Sequence, residues 1–246
     1  MDRRSVLLST LAWIVCLALT AGAAQAGDEL HLSWDACDFD AGAAHDRTFD
    51  CLDATAKHVL HVAFTLAAPV DSVFGLEAVV DLQSASANLP DWWRLDGAGC
   101  RVGNLAADLA FGTTNCATAL PGGVVSFPSY TPTMPRGGAN QARMKVGVGL
   151  SPDQLVTLQS GTPYQAVRFV ISSASTITCT GCATGTCLVL NSILLKRPPA
   201  AIGGNVIVIT PGPGATNHAT WQGDGADCAA VPVRAVTWGA IKAFYR

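Results

Sequence analysis

The side chains that could carry chemistry in this chain are five histidines, nine cysteines and a run of carboxylates toward the N-terminal side. Nucleophilic hydrolysis needs a Ser, Thr or Cys beside a base, and the local signatures of such sites, G-x-S-x-G among them, are absent. Imidazole can come only from His31, His45, His58, His61 and His218. His58 and His61 stand three apart in a stretch that alternates as a strand, so they fall on opposite faces and do not converge on a metal. His58 shares parity with Leu60 and Val62 and is expected at a strand end or in the core; His61 is expected to be exposed. Glycoside hydrolysis needs two carboxyl groups about 5–9.5 Å apart. Glu77 and Asp81 share a face, but four residues of strand separate them by ~13 Å. H-E-x-x-H, P-loop and dinucleotide fingerprints are also missing. The sequence therefore points away from an enzyme, with a hydrolase built from separate loops as a distant alternative.

Residues 28 to 53 hold Asp28, Glu29, Asp35, Asp38, Asp40, Asp46, Asp50 and Asp53 against only Arg47. A solvated acidic loop is the plain reading. Asp38-Phe39-Asp40-Ala41-Gly42 suggests a second one, because carboxylates two apart before a glycine suit a hard cation, and Asp38 and Asp40 become a candidate calcium site. The third oxygen ligand and the closing glutamate of an EF-hand loop are missing.

Cys16 falls in the N-terminal leader described below, and the other eight cysteines form an even set suited to disulfides in an oxidising compartment. Cys37 with Cys51 and Cys100 with Cys116 are the economical local pairs, each closing a loop of about 15 residues worth ~3 kcal/mol. Cys179 with Cys187 across a hairpin, and Cys182 with Cys228, complete the expected set. Cys179-x-x-Cys182 also has the spacing of a zinc or redox pair. Export and the lack of a βαβ setting favour disulfides over both.

Binding is the easier function to build. If the adjacent Trp92 and Trp93 lie on a strand, one of them faces outward and can stack on a sugar ring beside Arg94 and Asp91, with Tyr130 as a second exposed aromatic; the alternative is that both indoles close the edge of the core, since Trp is highly buried on average. Trp34 and Trp221 are expected to pack near the cysteine bridges. Near the C-terminus, Thr237 to Tyr245 is expected as a short helix that lays Trp238, Ile241 and Phe244 along one stripe.

The elements that must position these groups read as strands. Leu60, Val62, Phe64 and Leu66 alternate with His61, Ala63 and Thr65, and Phe74, Leu76, Ala78, Val80 and Leu82 alternate with Glu77 and Asp81. Ala68 to Ser72 reads as a turn joining them into an antiparallel pair. Met144 to Leu150 and Val167 to Ile171 add two strands. Leu188 to Leu195 and Val206 to Ile209 are apolar on both parities and are expected in the sheet centre. Leu30 to Trp34 and Leu105 to Phe111 are weaker strands, Pro121 to Asn140 a long loop, and Ser151-Pro152-Asp153 opens a short helix.

Arg3 and Arg4, the apolar run Val6 to Ala21 and Ala24-Gln25-Ala26 make residues 1–26 a secretory signal peptide, too short in its apolar part to span a bilayer. Removing it leaves thirteen basic and seventeen acidic residues, net −4, which disfavours nucleic acid as a partner. Residues 27–246 are expected to form one all-β domain, a disulfide-stapled two-layer antiparallel sandwich of jelly-roll or immunoglobulin-like topology. The stretch Val73-Phe74-Gly75-Leu76-Glu77-Ala78-Val79-Val80-Asp81 resembles a strand of cohesin-type and related cell-surface sandwich modules. It covers under a tenth of the chain and carries no functional residue with it. The reading that results is a bacterial, secreted, periplasmic or cell-surface binding or interaction module, with carbohydrate the first ligand to test and a cell-envelope protein the other partner. A structural or assembly subunit of the envelope is the alternative, and no cofactor beyond calcium is implied.

Overall fold

The computed structural model describes residues 27–151, 153–175, 178–212, 215–223 and 228. The leader and the C-terminal helix expected from sequence lie outside them. The strands are β1 (Glu29–Trp34), β2 (Asp46–Arg47), β3 (Lys57–Thr65), β4 (Val70–Val73), β5 (Gly75–Ser84), β6 (Leu105–Asp108), β7 (Ala117–Thr118) and β8 (Val124–Val125). They continue as β9 (Ser129–Pro132), β10 (Gln141–Gly149), β11 (Val156–Leu158), β12 (Tyr164–Ser172), β13 (Thr186–Lys196), β14 (Val206–Ile209) and β15 (His218–Trp221).

Two sheets form a sandwich. One runs β1-β3-β12-β6 with β7 beside β12; the other runs β2-β15-β13-β5-β10-β8, with β14 beside β13 and β9 beside β10. Alternation drives the packing, because period-two side chains give each strand one apolar face. Leu30 and Leu32 on β1, Leu60, Val62 and Phe64 on β3 and Phe169 and Ile171 on β12 share one core with Leu76, Ala78, Val80 and Leu82 on β5 and with Met144 and Val146 on β10. Each such side chain contributes about 1.5–3 kcal/mol on burial.

Several expectations need correction. The strands around Leu60 and Leu76 do not pair with each other: β3 and β5 belong to opposite sheets, and the expected turn holds β4, which pairs with β11. Both strands bury an apolar face in the same core whichever layer they occupy, so alternation cannot distinguish a hairpin from a change of sheet. No α-helix occurs among the described residues, and the Ser151 segment is a turn in which Gln154 N–H donates to the Ser151 carbonyl at 2.8 Å. The loop from Pro121 to Asn140 contains β8 and β9, and the strand from Leu105 stops at Asp108.

The apolar run from Leu188 is central, between β5 and β15, but its mixed parity has a local cause. A register shift between Leu190 and Ser192 turns the side-chain alternation over, so Leu188 and Leu190 point into the core before it and Ile193 and Leu195 after it. β14 is not central: among the described residues it pairs with β13 alone, and Val208 is 38% exposed.

All eight cysteines among the described residues are bridged, and none of the expected pairs forms. The bonds are Cys37–Cys116, Cys51–Cys182, Cys100–Cys179 and Cys187–Cys228, with separations of 79, 131, 79 and 41 residues. Short loops cost least entropy to close, yet the fold decides which Cα atoms come within about 6 Å. Cys37 and Cys51 bracket the acidic segment and go to different places. Cys37 packs with Cys116 against Ala63 on the outer face of the β3 sheet, whereas Cys51 joins Cys182 at the core.

That covering explains His61. It is 3% exposed, because the acidic segment and the Cys37–Cys116 bridge lie over the outer face where His31, Ser33 and Gln165 are also buried. Burial first, then the Arg168 charge, pushes the His61 pKa down to about 4. His58 is buried as expected, 2.7 Å from Ser173 Oγ, and burial followed by Arg101 lowers its pKa to about 4.

Candidate functional site

The proposed sugar platform is inside the protein. Pro90 leads into a 3-10 turn over Asp91–Trp93 that turns both indoles inward, leaving Trp92 and Trp93 fully buried. A strand would have turned one of them out. Trp221 is the hub of the packing, with its ring centroid 5.3 Å from Trp92, 5.5 Å from Trp93, 6.0 Å from Trp34 and 4.3 Å from Phe49. Its indole N–H donates to the Cys182 carbonyl at 2.7 Å, which places it beside the Cys51–Cys182 bridge.

Sequence reasoning passed over Arg101, which no motif flags. Its guanidinium lies 3.2 Å above the Trp92 ring and donates to the carbonyls of Trp92 and Ser172, with no carboxylate partner among the described residues. Burial lowers its pKa, and the indole face with the two carbonyl oxygens replaces the counter-ion. Tyr130 is half-buried, and its hydroxyl donates to the Trp93 carbonyl; burial pushes its pKa up. Arg94 is tied to Asp96 at 3.0 Å. The four residues read as a binding surface thus adjoin one another, but both indoles are buried, and the half-buried Tyr130 is the one aromatic among them that reaches the surface.

The acidic segment also spends its carboxylates on protein. Asp38 Oδ2 lies 2.9 Å from His31 Nδ1 and accepts from Thr216 Oγ1, while Asp38 Oδ1 lies 2.8 Å from His45 Nε2. Burial alone would raise the Asp38 pKa, but the bonds from His31, His45 and Thr216 outweigh it and hold the carboxyl below the usual range. Asp40 accepts from Thr114 Oγ1 at 2.6 Å and from Asn115 N–H at 2.7 Å. The two carboxylates therefore face different partners, and no group of three or more metal-ligating side chains occurs among the described residues. The calcium expectation is not met. The His31, Asp38 and Thr216 group is also unsuited to nucleophilic relay. Thr216 Oγ1, at 2.8 Å, meets the same ring nitrogen of His31 as Asp38 does, so the imidazole cannot pass a proton between them.

Two sheet edges differ in how they are protected. Beside β10 the chain from Val124 to Pro132 makes one broken edge. Val125 faces Val148 and Ser129 faces Lys145, so four steps on the edge oppose three on β10 and one residue bulges out. Phe127 at that bulge is 98% exposed, and Pro128 and Pro132 remove two backbone donors. Such an edge resists pairing.

The edge at β14 is different. Arg197, 6% exposed, anchors the hairpin from β13: its guanidinium donates to the carbonyls of Asp71, Ile202 and Gly204 and pairs with the Asp71 carboxylate. Gly203 and Gly204, both with positive φ, close the turn that carries Ile202 outward to 93% exposure. Val206-Ile207-Val208-Ile209 then runs along β13, with Ile209 in the core and Ile207 packed against it. Arg197 N–H donates to the Asn205 carbonyl at 2.9 Å, so by alternation Ile207 and Ile209 bond toward β13, while the N–H and C=O groups of Val206 and Val208 face outward. This edge carries no charge, no proline and, among the described residues, no neighbouring strand.

No protein-family model matches the chain, and no curated protein matches it in sequence. Among solved structures it is similar to the second type II cohesin module from the cellulosomal adaptor ScaA scaffoldin of Acetivibrio cellulolyticus. The identity is 10% over 76% of this chain and 95% of that one, with a TM-score of 0.32. So shallow a likeness assigns neither a family nor a partner.

Proposed function

We propose that this chain is an exported protein-interaction module of the extracytoplasmic space, which binds an extended apolar segment of a polypeptide partner by adding it as a strand along β14. In this reading residues 1–26 are a secretory leader and residues 27–246 one sandwich domain. The carrying observation is the uncharged Val206–Ile209 edge, whose outward backbone groups at Val206 and Val208 have no strand to bond among the described residues, while Val208 and Ile202 leave apolar surface in water. Strand addition draws affinity from main-chain bonds and specificity from alternate side chains, and this edge offers both. Cross-linking by four disulfides gives the edge a rigid support that costs little entropy on binding. Carbohydrate is the competing ligand, and the burial of Trp92 and Trp93 weighs against it.

The test is selection of a random peptide display library on oxidised mature protein, with a glycan array in parallel. Selected peptides should be rich in β-branched residues and should protect the Val206 and Val208 amides from hydrogen exchange. Val208→Pro deletes one outward donor and leaves the β13 ladder intact, so it should weaken them ~10-fold, the worth of one hydrogen bond. Peptides that bind without protecting these amides would refute the edge reading. Saturable glycan binding without peptide binding would restore the sugar reading.

A further inference from the structure

We propose that His45 is a pH-operated clasp that fastens the acidic segment to both sheets, closed by the imidazolium ion and released when that ion loses its proton. The geometry carries the argument. His45 Nε2 lies 2.8 Å from Asp38 Oδ1, and Nδ1 lies 3.0 Å from the Leu32 carbonyl oxygen and 3.2 Å from that of His218. All three neighbours only accept, so both ring nitrogens must donate, which neutral imidazole cannot do. Leu32 belongs to β1 of one sheet and His218 to β15 of the other, so a single ring bridges the two layers.

The charged and titratable groups around the ring favour that ion. From its own segment come Asp38 and the adjacent Asp46, which accepts from Thr220 Oγ1 at 2.7 Å; Arg47 is already paired with Asp35. From β1 come His31, on the opposite oxygen of Asp38, and Glu29, whose Oε2 lies 3.7 Å from His31 Nε2. From β15 comes His218, with ring centroids 6.3 Å apart. The hydrogen bond to Asp38 raises the His45 pKa, against the opposing effect of burial. A raised folded-state pKa means that the clasp is at full strength below the usual 6.5 and is lost as pH rises through the folded value.

Release is confined to the segment, because Cys37 and Cys51 pin its ends to Cys116 and Cys182. Between the pins the remaining ties include Trp34 N–H to the Ala44 carbonyl at 2.8 Å, Ala44 N–H back to the Trp34 carbonyl at 3.3 Å and Thr220 N–H to the His45 carbonyl at 2.7 Å. Opening would loosen the segment while leaving the core strands intact.

The experiment is an NMR titration of the His45 ring on the oxidised protein, with amide hydrogen exchange corrected for intrinsic pH dependence. The His45 midpoint should lie above 6.5 and fall in Asp38→Asn. Protection at Ala44 and Thr220 should drop ~10-fold across that midpoint, as expected for one lost hydrogen bond, and should not change with pH in His45→Gln. The β5 and β13 amides should keep their protection throughout. A midpoint at or below 6.5, unchanged protection at Ala44 and Thr220, or equal loss in β5 and β13 would each overturn the clasp.

Discussion

Mild acid should destabilise this protein through two histidines that it folds around in their neutral form. His58 and His61 are 6% and 3% exposed, and each pKa falls from the ordinary 6.5 to about 4. Between those values the unfolded chain holds a proton on each ring that the native state lacks, so stability falls as pH falls. Each difference of about 2.5 units corresponds to ~3 kcal/mol, and the pair to ~6 kcal/mol at most, on the scale of a whole domain's stability. His45 contributes no slope in this window, because its raised pKa makes it charged in both states below 6.5; its contribution is lost above that value. The two windows adjoin, and stability should peak near pH 6.5. Urea unfolding of the oxidised protein in steps from pH 8 to 4.5 reads this directly, with the lower limit chosen to keep most carboxylates ionised. The midpoint should fall steeply below 6.5, and His58→Gln should flatten that limb by about half. A midpoint that holds steady from 6.5 to 4.5 would refute the argument.

Three further outcomes follow from packing and cross-links. Arg143→Ala should cost about 3–5 kcal/mol in thermal or urea unfolding, because Asp81 is fully buried and loses the guanidinium whose Nε lies 2.6 Å from its Oδ1. Trp221→Ala should cost a similar ~3–5 kcal/mol and shift the near-ultraviolet circular dichroism, since the rings of Trp34, Phe49, His58, Trp92 and Trp93 close on that indole. Non-reducing peptide mapping should recover Cys37 with Cys116, and replacing that pair by serines should lower stability by ~4.5 kcal/mol, the chain-entropy value for a 79-residue loop.

Strand identity was legible because alternation is local: Leu60 to Leu66, Leu76 to Leu82 and Met144 to Val148 mark their inward faces without reference to the rest of the chain. Partners were not legible, since β3 and β5 bury the same kind of face from opposite sides of the core. β13 reads as apolar on both parities for two reasons, because its first half is buried on both faces, with Cys187 and Val189 packed under Cys228, and because the bulge at Asn191 turns the alternation over beyond it; the four-residue β14 borrowed the look of a central strand from its composition. Burial of His61 depended on a covering segment held by a bridge from residue 116, information that no window around His61 contains. The indoles of Trp92 and Trp93 take the buried alternative, and the outward ring fails for a simpler reason: a 3-10 turn after Pro90 has no period-two alternation, so neighbouring side chains can share one side.

The cross-links also bear on how such a chain reaches its final state. Three of its four bonds skip over intervening cysteines in chain order; Cys187–Cys228 alone joins sequential ones. An oxidant acting on thiols in the order in which the chain presents them would couple Cys37 to Cys51 and Cys100 to Cys116 first, trapping topologically wrong intermediates. Reaching the native set from such intermediates takes thiolate attack on those early bonds, a step that a reshuffling catalyst speeds and a simple electron acceptor does not.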